Sequence, residues 1–189
     1  DKLAILREGW QEEGDRWPEI VHNMQNRIGI SSGQMVTGNM GSEARMNYTM
    51  MGDNVNTAAR LESSAKQYGI YIQIADSTYQ AVKEKVVVRD LDNVRVLGKN
   101  EPVKVWELIS EVGQEPGQYK KILPAYHEAL DLYKNQEWSK AIDAFKASDE
   151  LEEMFGGRKT NPSRIYIPRC EHYLENPPGE DWDGVWTLT

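Results

Sequence analysis

The stretch Asn47-Tyr48-Thr49-Met50-Met51-Gly52-Asp53-Asn54-Val55-Asn56-Thr57-Ala58-Ala59-Arg60 passes from a polar, β-like segment through a glycine turn into a helix start. Helical spacing places Asn56 and Arg60 one turn apart on the same face. An amide and a guanidinium near a helix N-terminus suit an anionic oxygen, because unpaired backbone donors and the helix dipole act in the same direction. Taken alone, the spacing predicts a contact surface for phosphate or ribose.

The flanking segments supply the scaffold. A short apolar strand is expected over residues 27–31, and Gly33-Gln34 reads as a hairpin turn into a second strand near 35–40. Gly38 and Gly41 bracket a flexible arm, and residues 46–49 are extended again. The helix from about Asn54 to Tyr68 is expected to bury Val55, Ala58, Ala59, Leu61 and Ala65, with Gly69 as its stop signal. Residues 70–75 are rich in apolar and β-branched side chains and read as a core strand. Asp76 is a natural N-cap for a short helix near 77–84. Three valine-rich segments, at 86–88, 94–96 and 103–108, complete a strand-rich end. Upstream, Leu3, Leu6 and Trp10 mark the end of an amphipathic helix, and Gly14 and Pro18 punctuate a loop. Strands and helices mix without a strict βαβ alternation, so the fold class is α+β.

The stretch resembles the substrate-binding signature of class III nucleotidyl cyclases, bacterial type. The resemblance begins at Arg27-Ile28-Gly29-Ile30 and continues through Gly33-Gln34-Met35-Val36-Thr37-Gly38-Asn39-Met40-Gly41-Ser42. It crosses the opening stretch and Leu61-Glu62, and closes at Leu97-Gly98-Lys99-Asn100-Glu101-Pro102-Val103. It implies the C-terminal part of a ferredoxin-like cyclase domain over residues 1–112, with the domain's N-terminal part missing. In this family the ribose 3′ oxygen attacks the α-phosphorus of a nucleoside triphosphate and pyrophosphate leaves.

By this resemblance, Thr49 falls where the family reads the purine, and its hydroxyl can both donate and accept. Many adenylyl cyclases have aspartate there, and one bacterial subgroup has threonine. Asn56 matches the asparagine near the ribose, and Arg60 matches the arginine that stabilises charge on the α-phosphate in the transition state. Lys99 matches the lysine that contacts the terminal phosphates. The catalytic pair is thus Asn56 and Arg60, and the substrate-binding pair Thr49 and Lys99. Without the resemblance, Thr49 would read as a strand threonine, Asn56 as a helix cap, and Arg60 as a surface partner for Glu62 or Asp53. Lys99 would then be a solvated charge in a turn.

The family's two metal ions, Mg²⁺ or Mn²⁺, are held by aspartates from a region preceding the one present here, so no metal ligand is expected in this chain. The segment by itself is expected to be inactive. The resemblance also implies a head-to-tail homodimer with composite sites. The expected activity of the whole protein is adenylyl cyclase, with ATP as substrate. The alternatives are guanylyl cyclase, or a non-catalytic dimerisation and regulatory module that binds a protein partner through its helical tail.

Composition shifts at Gly113-Gln114-Glu115-Pro116-Gly117, which reads as a linker. Residues 118–189 are expected to be a small all-α helical hairpin extension. Tyr119, Ile122, Leu123, Tyr126, Leu130 and Tyr133 form one apolar stripe, and Trp138, Ala141, Ile142 and Phe145 form another. The short break at residues 134–137 forces an antiparallel pair resembling a single tetratricopeptide-like repeat. One such unit cannot bury its own apolar face. It must dock on the first domain, on a third helix near 162–175, or on another subunit. Trp182 and Trp186 in the tail are expected to pack against the body.

The net charge of −8 argues against a nucleic-acid partner, since it gives no basic field to neutralise phosphates. Cys170 is the only cysteine, which excludes an intrachain disulfide and suits a reducing compartment such as the cytoplasm. No apolar run approaches a membrane span, so no membrane contact is expected from this segment. Similar cyclases often carry sensory or membrane segments upstream, and a start at Asp1 inside a helix suggests a piece of a longer polypeptide. His22, His127 and His172 are isolated and are expected to pack instead of ligating metal.

Overall fold

The computed structural model of the chain describes residues 2–94, 103–152, 158–179 and 181–186. Helices and strands alternate irregularly: α1 (Lys2–Glu12), a 3-10 turn (Gly14–Arg16), α2 (Glu19–His22), β1 (Ile28–Ile30), β2 (Val36–Ser42), β3 (Arg45–Met51), α3 (Asp53–Tyr68), β4 (Ile72–Ala75), α4 (Asp76–Val82), β5 (Val86–Val94) and β6 (Val103–Glu111). Three helices follow: α5 (Tyr119–Lys134), α6 (Trp138–Leu151) and α7 (Pro162–Glu175). The class is α+β, as the irregular alternation predicts. None of the described helices is long and apolar enough to cross a membrane.

One sheet has the order β1-β4-β6-β5, with β1 and β4 parallel and the other neighbours antiparallel. β2 and β3 form a separate hairpin that places Gly38 opposite Thr49. Gly33-Gln34 is therefore not the hairpin turn expected from the sequence. β1 pairs with β4, whose Gln73, Ile74 and Ala75 are buried, whereas every residue of β3 is exposed. Apolar β1 residues are drawn to the covered sheet, and the chain leaves it to build the arm.

Helix α3 buries Thr57, Leu61, Ala65 and Tyr68, a single stripe at helical spacing. The stripe is rotated from the expected one: Val55 and Ala58 are only half-buried and Ala59 is exposed. Leu61, Ala65 and Tyr68 join Ile70, Ala75, Leu91 and Val105 in one core cluster. Asp76 is the first residue of α4 and not its cap; its carboxylate accepts the Trp106 indole N–H at 3.0 Å. Helix α1 forms as expected but buries none of its residues.

The C-terminal helices share a second core. Tyr126, Leu130 and Tyr133 of α5 meet Trp138, Ile142 and Phe145 of α6 and Tyr166, Cys170 and Tyr173 of α7. The expected hairpin is thus completed by a third helix. Trp182 covers the open end of this core, 5.2 Å from the Tyr133 ring and 5.1 Å from the Trp138 ring, centroid to centroid. The tail is docked against the body.

The two cores meet at strand β5. Arg89 of β5 is fully buried, and its Nε donates to Glu107 Oε2 of β6 at 2.7 Å. Its Nη1 reaches Glu152, just beyond α6, and its guanidinium lies over the Tyr126 ring at 5.1 Å. Arg158 Nη2 also pairs with Glu152, at 2.8 Å. Burial by itself would pull the Arg89 pKa down, but Glu107 and Glu152 outweigh it and hold the group above the ordinary arginine range. The same surroundings push the Tyr119 hydroxyl up to about 12, chiefly through burial and then through Glu107.

Removing Arg89 strands Glu107 in the interior and leaves Glu152 with Arg158 alone. Arg89→Met is expected to destabilise the fold by about 3–5 kcal/mol, read as a lower urea midpoint. A second prediction concerns His127, whose Nε2 accepts the Asp90 backbone N–H at 3.3 Å. Burial lowers its pKa below the usual 6.5, opposed by Asp90 and Asp131 and aided by Arg89 and Lys134. The unfolded chain therefore binds the proton first as pH falls. The stabilisation from neutral His127 is complete above about pH 6.5 and is lost below it. Thermal midpoints measured from pH 7.5 down to 5.5 should fall less steeply for His127→Gln than for the wild type.

Candidate active site

Strand β3 ends at Met51, Gly52 caps the next helix, and α3 begins at Asp53. The backbone N–H groups of Val55 and Asn56 both donate to Gly52 O, at 3.2 and 3.3 Å. Asn56 therefore sits inside the helix and is not its cap. Its side chain is exposed, and so is that of Arg60 one turn later. Residues so spaced have Cβ atoms about 5–6 Å apart, so the amide and the guanidinium share one accessible face. Glu62, one of the acids offered by the sequence as a partner for Arg60, pairs with Arg27 at 3.6 Å.

The helix is held in place by a contact that only glycine permits. A Cβ on Gly29 of β1 would lie 2.1 Å from Ala58 O and 2.4 Å from Glu62 N, both backbone atoms of α3. Strand and helix backbones thus touch directly, on the side of α3 roughly opposite the one that carries Asn56 and Arg60. At the helix start, Asn54 Oδ1 accepts the Ser31 hydroxyl at 3.2 Å and Asn54 Nδ2 donates to Gln34 O at 3.2 Å. Asn54 thereby ties the loop leaving β1 to the beginning of α3. Sequence reading includes Gly29 in the family resemblance and Asn54 at the helix start but gives neither a role of its own. An Asx residue at a helix start is a recognisable signal for the second, but its partners are distant in sequence.

Thr49 lies on the exposed β3 strand of the arm, separated from α3 only by Met50, Met51 and Gly52. An open recess of about 360 Å³ between Gln34, Met35 and Val36 on one side and Met51 and Gly52 on the other marks the root of this arm. Asn56 and Arg60 are brought together on α3, and Thr49 follows from the adjoining hairpin. Lys99 lies outside the described residues. Another cleft, of about 220 Å³ and lined in part by Asp92, Tyr166 and Trp182, lies at the Tyr68 end of α3 and includes none of these side chains.

Among the described residues, no three His, Cys, Asp or Glu side chains converge where they could hold a metal ion. The described side chains do not form a donor set for the metal pair implied by the resemblance. What the exposed face of α3 offers is an amide and a guanidinium, with the Thr49 hydroxyl on the preceding strand; such groups bind and polarise oxyanions and polar ring edges without themselves exchanging protons.

Residues 9–110 match the family model described as the adenylate and guanylate cyclase catalytic domain. The chain is 34% identical over 152 residues to the terminal-differentiation-specific adenylate cyclase of Dictyostelium discoideum, covering 78% of this chain and 7% of that protein. It is 33% identical over 88 residues to adenylate cyclase 1 of Rhizobium meliloti, covering 47% of this chain and 13% of that protein. The crystal structure of the adenylyl cyclase CyaB from P. aeruginosa shares 30% identity, covers 61% of this chain and 55% of that chain, and superposes with a TM-score of 0.48. The chain spans only a small part of the curated relatives it matches.

The close approach at Gly29 yields a direct test of how α3 is seated. Gly29→Ala forces β1 and α3 apart and should lower stability by about 1–3 kcal/mol. Chemical denaturation of the variant beside the wild type measures this loss. An unchanged midpoint would mean that the two backbones do not need to touch.

Proposed function

The chain belongs to the adenylate and guanylate cyclase catalytic domain family, and on that premise we propose that its parent protein converts ATP to cyclic AMP and pyrophosphate. The observation that carries this reading is the exposed pair Asn56 and Arg60, one turn apart on a helix that starts directly after the arm bearing Thr49. In this reading the Thr49 hydroxyl contacts the purine, Asn56 orients the ribose, and Lys99 holds the terminal phosphates. The ribose 3′ hydroxyl gives up its proton to solvent water, its oxygen bonds to the α-phosphorus, and the bond from that phosphorus to the pyrophosphate oxygen breaks, so that pyrophosphate leaves. Arg60 neutralises charge growing on the α-phosphate oxygens, so it stabilises the transition state more than the ground state.

Residues 1–112 are taken as the catalytic part and 118–189 as its helical extension, the α5–α6 pair being a tetratricopeptide-like unit. The Mg²⁺ or Mn²⁺ ions implied by the family resemblance find no donor set among the described side chains, and their ligands are assigned to residues outside this chain. Two copies would meet head to tail, one supplying Thr49, Asn56, Arg60 and Lys99 and the other the metal ligands. A single cysteine and an acidic surface suit a cytoplasmic setting.

The deciding experiment offers ATP and GTP in parallel to the full-length protein with Mn²⁺. Cyclic AMP from ATP alone is the expected outcome. Product from GTP moves the assignment to guanylyl cyclase, and no product from a folded dimer sinks the enzyme reading. Arg60→Ala should lower kcat by about 10²–10³-fold with a much smaller change in KM.

A further inference from the structure

The far end of the site helix is built into the C-terminal extension. Tyr68, the last residue of α3, is buried and its hydroxyl donates to Asp92 Oδ2 of β5 at 2.7 Å. Arg169 of α7 donates to that same oxygen at 2.7 Å through Nη1. The other oxygen, Oδ1, accepts the Asn93 backbone N–H at 2.8 Å. One buried carboxylate thus joins the site helix, the sheet and the extension. Beside it, the Tyr166 hydroxyl of α7 donates to Leu91 O, and Ile165 packs on the cluster that contains Leu61, Ala65 and Tyr68. Gly69, which ends α3 at φ +64°, leaves its Cα so close to the extension that a Cβ would stand 1.9 Å from Thr160 O.

From this geometry we propose that the extension is the seat that fixes α3, and that Tyr68, Asp92 and Arg169 are positioning residues for Arg60. The assignment to catalysis rests on the cyclase reading above; the mechanical part does not. Arg60 stands two turns from Tyr68, about 12 Å along a continuous helix, so a shift at one end is carried to the other. Transition-state charge stabilisation is steep in distance, and a displacement of about 1 Å can lower turnover by about 100-fold. Substrate binding, spread over several groups, is less sensitive. The similarity to the Dictyostelium adenylate cyclase spans 78% of this chain, more than residues 1–112 supply, so it runs into the extension.

The test uses the full-length protein and compares Tyr68→Phe, Arg169→Met and Arg169→Lys with a control, Arg164→Ala. The control breaks an ion pair with Asp149 at 2.8 Å that lies within the extension and does not touch α3. Tyr68→Phe keeps the ring and removes one hydroxyl, so it remains informative if Arg169→Met fails to fold. The expected result is a kcat lowered about tenfold in both variants with KM within about twofold, partial recovery in Arg169→Lys, and no change in the control. Hydrogen exchange without nucleotide should show the amides of residues 61–68 opening about tenfold faster in Tyr68→Phe and Arg169→Met than in the wild type. Wild-type kcat in both variants, or the same loss in the control, overturns the catalytic half of the proposal. Unchanged exchange across α3 overturns the seat itself. If the wild type forms no cyclic nucleotide, the cyclase reading fails, while exchange still decides the seat.

Discussion

Two opposite charges buried on one face of β5 govern how this molecule is put together. Arg89 and Asp92 are three positions apart, and in a regular strand an odd separation would send them to opposite faces. The register breaks between Asp90 and Asp92, with Asp90 opposite Trp106 and Asp92 opposite Val105, so Leu91 is an extra residue. The bulge returns Asp92 to the face that carries Arg89, opposite Glu107. Neither charge can be buried unpaired without a penalty of several kcal/mol. Within the sheet, Glu107 satisfies only part of the Arg89 guanidinium. The remaining partners, Glu152 and Arg169, come from the α6 end and from α7. Docking of the extension is thus required by the charges that β5 buries, and not simply favoured by apolar contact.

The same docking deals with an edge. β5 is the last strand of the sheet, and an uncovered edge strand invites pairing with other chains. Here the Leu91 carbonyl is taken by Tyr166, and the Asp90 N–H by His127. The β2–β3 arm is treated in the opposite way. It stands away from the main sheet with Tyr48, Met46 and Met51 exposed, which suits a surface that works by contact with something outside the chain. The molecule therefore has a closed end at the extension and an open end at the arm, and α3 runs between them.

Much of this was legible from residue patterns. The helix over 53–68 and its stop at Gly69, the strands at β4 and β6, the α5–α6 pair and the docked tryptophans follow from local periodicity and punctuation, because each signal lies within a few residues of what it specifies. The errors have a common cause. Gly33-Gln34 resembles a hairpin turn, but the partner of β1 is β4, selected by burial some forty residues downstream. Asp76 resembles a cap, but Trp106 captures its carboxylate. The apolar stripe of α3 was misplaced because the backbone contact at Gly29, where no side chain reports it, sets the rotation of the helix.

For the proposed site, the family resemblance offers Thr49, Asn56, Arg60 and Lys99 as candidates, and local pattern puts the first three on an arm and the helix that follows it. That much is local, since a strand, one glycine and a helix N-terminus leave few arrangements for side chains spaced in this way. What holds the helix in place was decided only in three dimensions. Gly29, Asn54, Tyr68, Asp92 and Arg169 come from β1, both ends of α3, β5 and α7, and none of them is unusual in its own neighbourhood. Arg89 and Asp92 in particular carry no local sign of burial, and only the bulge at Leu91 brings Asp92 to the face that holds Arg89. Burial and the pairing of charge are properties of the folded chain, because a charge becomes a constraint only once water has been removed from it.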